Sequence, residues 1–121
     1  MALTAAQILA ANDAGLLKVE VPEWRPEGSA DEPTVYIRVM SVGERDEYER
    51  LWIGRKETGV ESFRTQYLAR VLCDENGSLL FSRDDIKALS NKSGAVMGRL
   101  FDVAMKHNRM SEEDVQELGK A

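Results

Sequence analysis

The chain is 121 residues long, which predicts one domain spanning residues 1–121, able to bury about two thirds of the surface that its unfolded form exposes. Its 16 basic and 21 acidic side chains give a formal charge of −5, which repels a phosphate backbone and excludes general nucleic-acid binding. The single cysteine, Cys73, excludes an intrachain disulfide and suits a reducing cytosol, while the N-terminal MALTAAQILAAND lacks a basic head and the length of a bilayer span, so no membrane contact is expected.

Thr4 followed by Gln7 predicts a capped short helix over residues 4–12, with Ile8 and Leu9 as its apolar contacts and Gly15 as its stop. A hairpin is expected over 16–40. In its first run, LLKVEVPEW, Leu17, Val19 and Val21 alternate with Lys18 and Glu20, and Pro22 marks an edge or an end. In its second, TVYIRVM, Val35, Ile37 and Val39 face one way and Tyr36, Arg38 and Met40 the other. The charged RPEGSADEP between them reads as a flexible loop.

Residues 41–119 read as helical. Ser41 and Glu44 form a capping box for a helix whose Val42, Tyr48, Leu51 and Trp52 are expected on one face. Gly54 and Gly59 bracket a loop, and from Glu61 to Cys73 an apolar arc of Phe63, Tyr67, Leu68, Val71 and Leu72 predicts the next helix. Asn76 and Gly77 supply a turn. Ser82 with Asp85, Ser93, and Ser111 with Asp114 then mark three further helix starts. The fold class expected is therefore α+β, mainly α: an N-terminal β-hairpin followed by a bundle of about four to five helices.

The helix over 95–107 carries Arg99, Asp102 and Lys106 in one stripe, opposite Val96, Met97, Leu100, Phe101, Val103, Ala104 and Met105 on an arc of about 200°. Such a helix needs cover on two sides. A central core position supplies it, as would a second copy or another protein.

Catalytic chemistry finds little footing. His107 is the only imidazole and lies beside Lys106 and Arg109 near a helix C-terminus, where capping accounts for it. No phosphate-cradling glycine string and no calcium-loop spacing occurs, so neither a cofactor nor a metal is expected. Asp84 with Asp85, and Glu112, Glu113 and Asp114, sit in first turns and offset the helix dipole.

Candidate partner-binding residues remain. Met97, Met105 and Met110 have adaptable thioethers and Phe101 shares their helix region; core filling is the alternative for them. Arg64 falls inside an apolar arc, as a partner contact or as a stem lying on the core with its head in water. Trp24 and Trp52 end a strand and a helix beside loops, where aromatics anchor interfaces or close a core edge.

The succession V-x-V-P-E-W, V-Y-I-R, S-V-G-E-R-D-E-Y-E, D-E-N-G-S-L-L-F and L-F-D-V-A-M-K-H-N-R-M-S-E-E-D-V, from about Leu17 to the C-terminus, resembles the tail assembly chaperones of long-tailed, siphovirus-type bacteriophages or prophages. The resemblance implies a non-enzymatic adaptor of virion morphogenesis, working in the bacterial host cytoplasm and absent from the finished particle. It implies that the tape measure protein is coated and kept soluble, that tail tube protein is brought to it, and that copies associate as a homo-oligomer. In that family a longer product is often made by ribosomal slippage over codons for Gly-Lys, and Gly119 and Lys120 stand here, with ordinary helix C-capping as the alternative role of the glycine. No binding residue carries over from the family. Two rivals stand beside it: a small acidic interaction module, of inhibitor or antitoxin type, that masks a basic partner, and a small enzyme using buried carboxylates.

Overall fold

The computed structural model describes residues 1–51, 53 and 63–110. Its elements in chain order are α1 (Ala5–Ala10), β1 (Leu17–Glu20), a 3₁₀ turn at Pro22–Trp24, β2 (Thr34–Ile37), α2 (Val42–Arg50), α3 (Phe63–Val71), β3 (Leu72–Cys73), a 3₁₀ turn at Arg83–Asp85, α4 (Ile86–Leu89) and α5 (Gly94–His107). This is the expected α+β class with helix predominating: a hairpin, then helices. The expected loop at 54–60, Trp52 and the helix start at Ser111 and Asp114 lie outside the described residues.

Four predicted caps are made as read. In α1 Thr4 Oγ1 accepts from Gln7 N at 3.2 Å and Gln7 Oε1 accepts from Thr4 N at 2.9 Å. Ser41 and Glu44 repeat the exchange at α2, and Ser82 and Asp85 do so at the second 3₁₀ turn. Ser93 accepts from Val96 N to open α5. Each cap satisfies donors left orphaned by the first turn, using side chains two or three residues away. That locality makes it readable from spacing alone.

Two apolar expectations fail. Helix α1 ends at Ala10, with Ala11 as its C-cap, before Gly15, and buries none of its side chains: Leu9 is 86% exposed. Local caps complete its polar ends, so the helix forms without a tertiary contact for Ile8 or Leu9. Val42 is 80% exposed, because six residues along a helix turn it about 120° away from the buried Tyr48.

Strands β1 and β2 pair antiparallel with Leu17 opposite Ile37 and Val19 opposite Val35, confirming the hairpin. The expected helix through Cys73 stops at Val71. Leu72 and Cys73 form β3, antiparallel to Ile37 and Tyr36, so the sheet runs in the order β1-β2-β3. A two-residue apolar run suits a buried strand as well as a helix end, and only the waiting edge of β2 chooses between them.

The core lies between this sheet and α2, α3 and α5. Ile37, Tyr48, Tyr67, Leu68, Val71, Leu72, Leu100, Phe101 and Ala104 are fully enclosed. Four rings form a chain of edge contacts: Tyr48 with Tyr67 at 5.2 Å, Tyr67 with Phe101 at 5.4 Å and Phe101 with Phe63 at 5.2 Å between centroids. The Tyr48 hydroxyl donates to the Phe63 carbonyl at 3.1 Å, tying α2 to the head of α3.

One polar side chain locks the C-terminal end of α5 to the sheet. Asn108 is buried; its Oδ1 accepts from Met40 N at 2.8 Å, and its Nδ2 donates to the carbonyls of Arg38 at 3.2 Å and Ala104 at 3.0 Å. The cap expected of His107 thus falls to its neighbour. His107 Nε2 instead lies 2.8 Å from the Gly15 carbonyl, holding the approach to β1.

Candidate functional site

The wide apolar arc of α5 is covered by its own chain. Val96, Met97, Leu100, Phe101, Ala104 and Met105 are buried, as is Met110 beyond the helix. Of the three covers left open by the sequence, the structure therefore supplies the first. Met97, Phe101, Met105 and Met110 fill the core, and in this fold none of them presents a surface to a partner. Arg64 is exposed, with its guanidinium carbon 4.6 Å from the Phe63 ring centroid and 5.6 Å from that of Phe101. Its stem lies on the core and its head caps two aromatic faces in water.

Trp24 is half-buried, and around it the surface opens into a groove. Three adjoining hollows share lining residues. The largest, of about 370 Å³, has a floor of Ala69, Leu79, Phe81 and Ile86. Phe81 also lines the second, with Trp24, Ala88 and Leu89, and Trp24 in turn lines the third, with Val21, Pro26 and Pro33. Leu79 stands in the largest hollow, 45% exposed, and its neighbour Leu80, 46% exposed, lines none of the three. The floor is made where α3 and α4 meet the stretch after the Asn76–Gly77 turn. Gly77 takes φ +82° there, and Asp74 Oδ1 accepts from the backbone of Asn76 and Ser78.

This turn turns the chain back on β3, so that Leu79 bridges to Cys73 and Leu80 N donates to the Leu72 carbonyl. Leu79, Leu80 and Phe81 follow one another without a polar break. Consecutive apolar residues on an extended chain point to opposite sides, so a one-sided core cannot bury all three. That run is the signal by which the groove was open to discovery in the sequence.

The rim is charged in both signs, with Asp31, Glu44, Glu47 and Asp85 against Arg70, Arg83 and Lys92. Arg83 pairs with Glu47 across the mouth of the largest hollow. Arg70 donates Nη1 to the Gln66 carbonyl at 2.9 Å and lies 5.7 Å from the Tyr48 ring centroid; burial lowers its pKa from the usual guanidinium value. Lys92 Nζ sits 5.8 Å from the Trp24 ring.

Arg38 grips Glu44 through both guanidinium nitrogens, and with the Ser41 N–H this holds the Glu44 carboxyl down at about 2. Because the folded value lies below the ordinary 4.5, the pair's contribution is whole above that pH and is lost as pH falls toward 2. Glu23, paired with Arg99 at 3.0 Å, is likewise held at about 2, but it is exposed, and solvent screening leaves that pair worth little. Acid melting is therefore expected to report Glu44. Glu44→Gln should lower the melting temperature at pH 7 and flatten its fall between about pH 5 and pH 2, as followed by circular dichroism. An acid limb unchanged in the variant would assign that loss elsewhere.

Burial raises the Cys73 thiol above its normal range, and the thiol faces the Tyr36 carbonyl at 3.4 Å, so it is a packed and unreactive group. Among the described residues no cluster of acids, histidine and cysteine could hold a metal, and no helix is long and apolar enough to cross a membrane. What the arrangement offers is a set of apolar hollows with a rim of both charges.

No curated protein and no solved structure matches the chain. The sequence profile described as phage tail assembly chaperone matches residues 5–120, nearly the whole length, and the chain belongs to that family.

Proposed function

We propose that this chaperone binds and solubilises the tape measure protein by seating apolar helix faces in the groove between Leu79 and Trp24, and that it helps to recruit tail tube subunits. The observation that carries the reading is that the three hollows adjoin, the first two sharing Phe81 in their lining and the last two Trp24. A long tape measure helix exposes apolar stripes until the tube encloses it, and an amphipathic helix laid in a groove is a recurrent way to cover such a stripe. The rim, with four acids and three bases, accommodates a partner helix of mixed charge.

The protein acts by binding, without catalysis, in the host cytoplasm. Several copies serve one tape measure, and their association as a homo-oligomer lines the grooves along it. The rival reading, an acidic module masking a basic partner, would have to draw on other acids than Glu23, Glu44 and Glu47, which are each engaged by an arginine of the same chain.

Co-expression tests this directly. The intact chaperone is expected to raise the soluble fraction of the tape measure protein several-fold, and Leu79→Glu with Leu80→Glu to abolish the gain while leaving the chaperone's own melting within about 2 °C, since both side chains are already exposed. A gain that survives the double substitution would move the binding surface away from the groove.

A further inference from the structure

The outer edge of the sheet carries a signal unrelated to the groove. Strand β1 is terminal in the order β1-β2-β3. Val21 N donates to the Pro33 carbonyl at 2.9 Å, which fixes the phase of the ladder: Leu17, Val19 and Val21 direct their main-chain groups to β2. By the same alternation, Lys18 and Glu20 direct theirs outward, away from β2. The edge is not blunted within its length, because the proline and the 3₁₀ turn come only after it, at Pro22–Trp24.

The two residues whose backbones face outward carry opposite charges. Both side chains are exposed, and neither has a salt-bridge partner among the described residues. When such a strand meets itself antiparallel about a two-fold axis at Val19, Lys18 of each copy faces Glu20 of the other. Each facing pair then exchanges both main-chain hydrogen bonds and forms an ion pair. Shifting the axis to Lys18 or to Glu20 puts like charges opposite each other, and shifting it to a point between residues leaves the outward groups out of phase. One register alone satisfies both the ladder and the charges.

We propose that two copies of this chain join through β1 in that register, extending the three strands of each into one six-stranded antiparallel sheet. A four-residue edge covers less area than a stable interface needs. The remainder is at hand in the same N-terminal stretch, where Leu3, Ile8, Leu9 and Leu16 are exposed on and around α1, which buries no side chain in its own body. The pairing deepens the multi-copy reading given above and relies on it only for its purpose. The groove residues take no part in it.

Charge exchange in the isolated chain decides the matter, read by sedimentation equilibrium at low salt. Lys18→Glu and Glu20→Lys should each weaken self-association at least tenfold, because each places like charges at both facing pairs. An equimolar mixture of the two variants should restore it, as should the doubly exchanged chain, since opposite charges again face each other. Neither substitution touches the core, so both variants should melt as the parent does. Self-association that persists in the single variants, a mixture that fails to recover, or a parent chain that is monomeric at about 100 μM overturns the proposal. Tape measure solubilisation lost in Leu79→Glu with Leu80→Glu while pairing persists would separate the groove from the edge.

Discussion

Phe101→Asp is expected to abolish the folded state. The ring is fully enclosed, in edge contact with Phe63 and Tyr67. Truncation to alanine costs about 3 to 5 kcal/mol from lost transfer and the cavity left behind. A carboxylate adds about 3 to 5 kcal/mol for an unpaired buried charge, and the sum of about 6 to 10 kcal/mol is comparable with the whole margin of about 5 to 15 kcal/mol that a domain commands. Circular dichroism should show no cooperative melt for Phe101→Asp and a melting temperature lowered by about 10 °C or more for Phe101→Ala. A Phe101→Asp chain that melts like its parent would show that α5 does not pack as described.

Asn108→Ala is the second large effect, and it comes through hydrogen bonds rather than packing. The amide satisfies Met40 N, and it reaches the carbonyls of Arg38 and Ala104 as the chain leaves α5. Removing it strands the buried Met40 N–H and leaves the Arg38 carbonyl without this donor, while the Ala104 carbonyl keeps the Asn108 backbone N–H, for a cost of about 2 to 4 kcal/mol. Asn108→Asp at pH 7 should be at least as damaging, because a carboxylate keeps the acceptor for Met40 N but turns a second oxygen on two carbonyl oxygens. Chemical denaturation of the three chains measures the order. Equal stability of all three would mean that the β2 to α5 tie carries no load.

These two residues mark different depths of legibility. The helical period of α5 identified Phe101 as apolar and enclosed by something, leaving open by what; the answer depended on whether α3 and the sheet would reach around it. Nothing in the sequence marked Asn108. Asparagine after a helix reads as an ordinary cap, and its bonds to Met40 and Arg38 span 68 and 70 residues. The Met97, Phe101, Met105 and Met110 surface expected for a partner was therefore core, while Trp24, judged by its place between a strand end and a loop, does line the groove.

Features set by neighbours a few residues apart were plain in the sequence: the caps at Thr4, Ser41, Ser82 and Ser93, the turn at Gly77, the alternation of β1 and β2, and the family likeness that they jointly carry. Their physics is local, a side-chain oxygen against the next turn or a pleat of period two, and spacing records it. The third strand, the enclosure of α5, the solvation of α1 and the groove at Phe81 were settled only by tertiary packing. Each depends on which apolar faces find cover, and such cover comes from segments distant in the chain, whose approach no local pattern encodes.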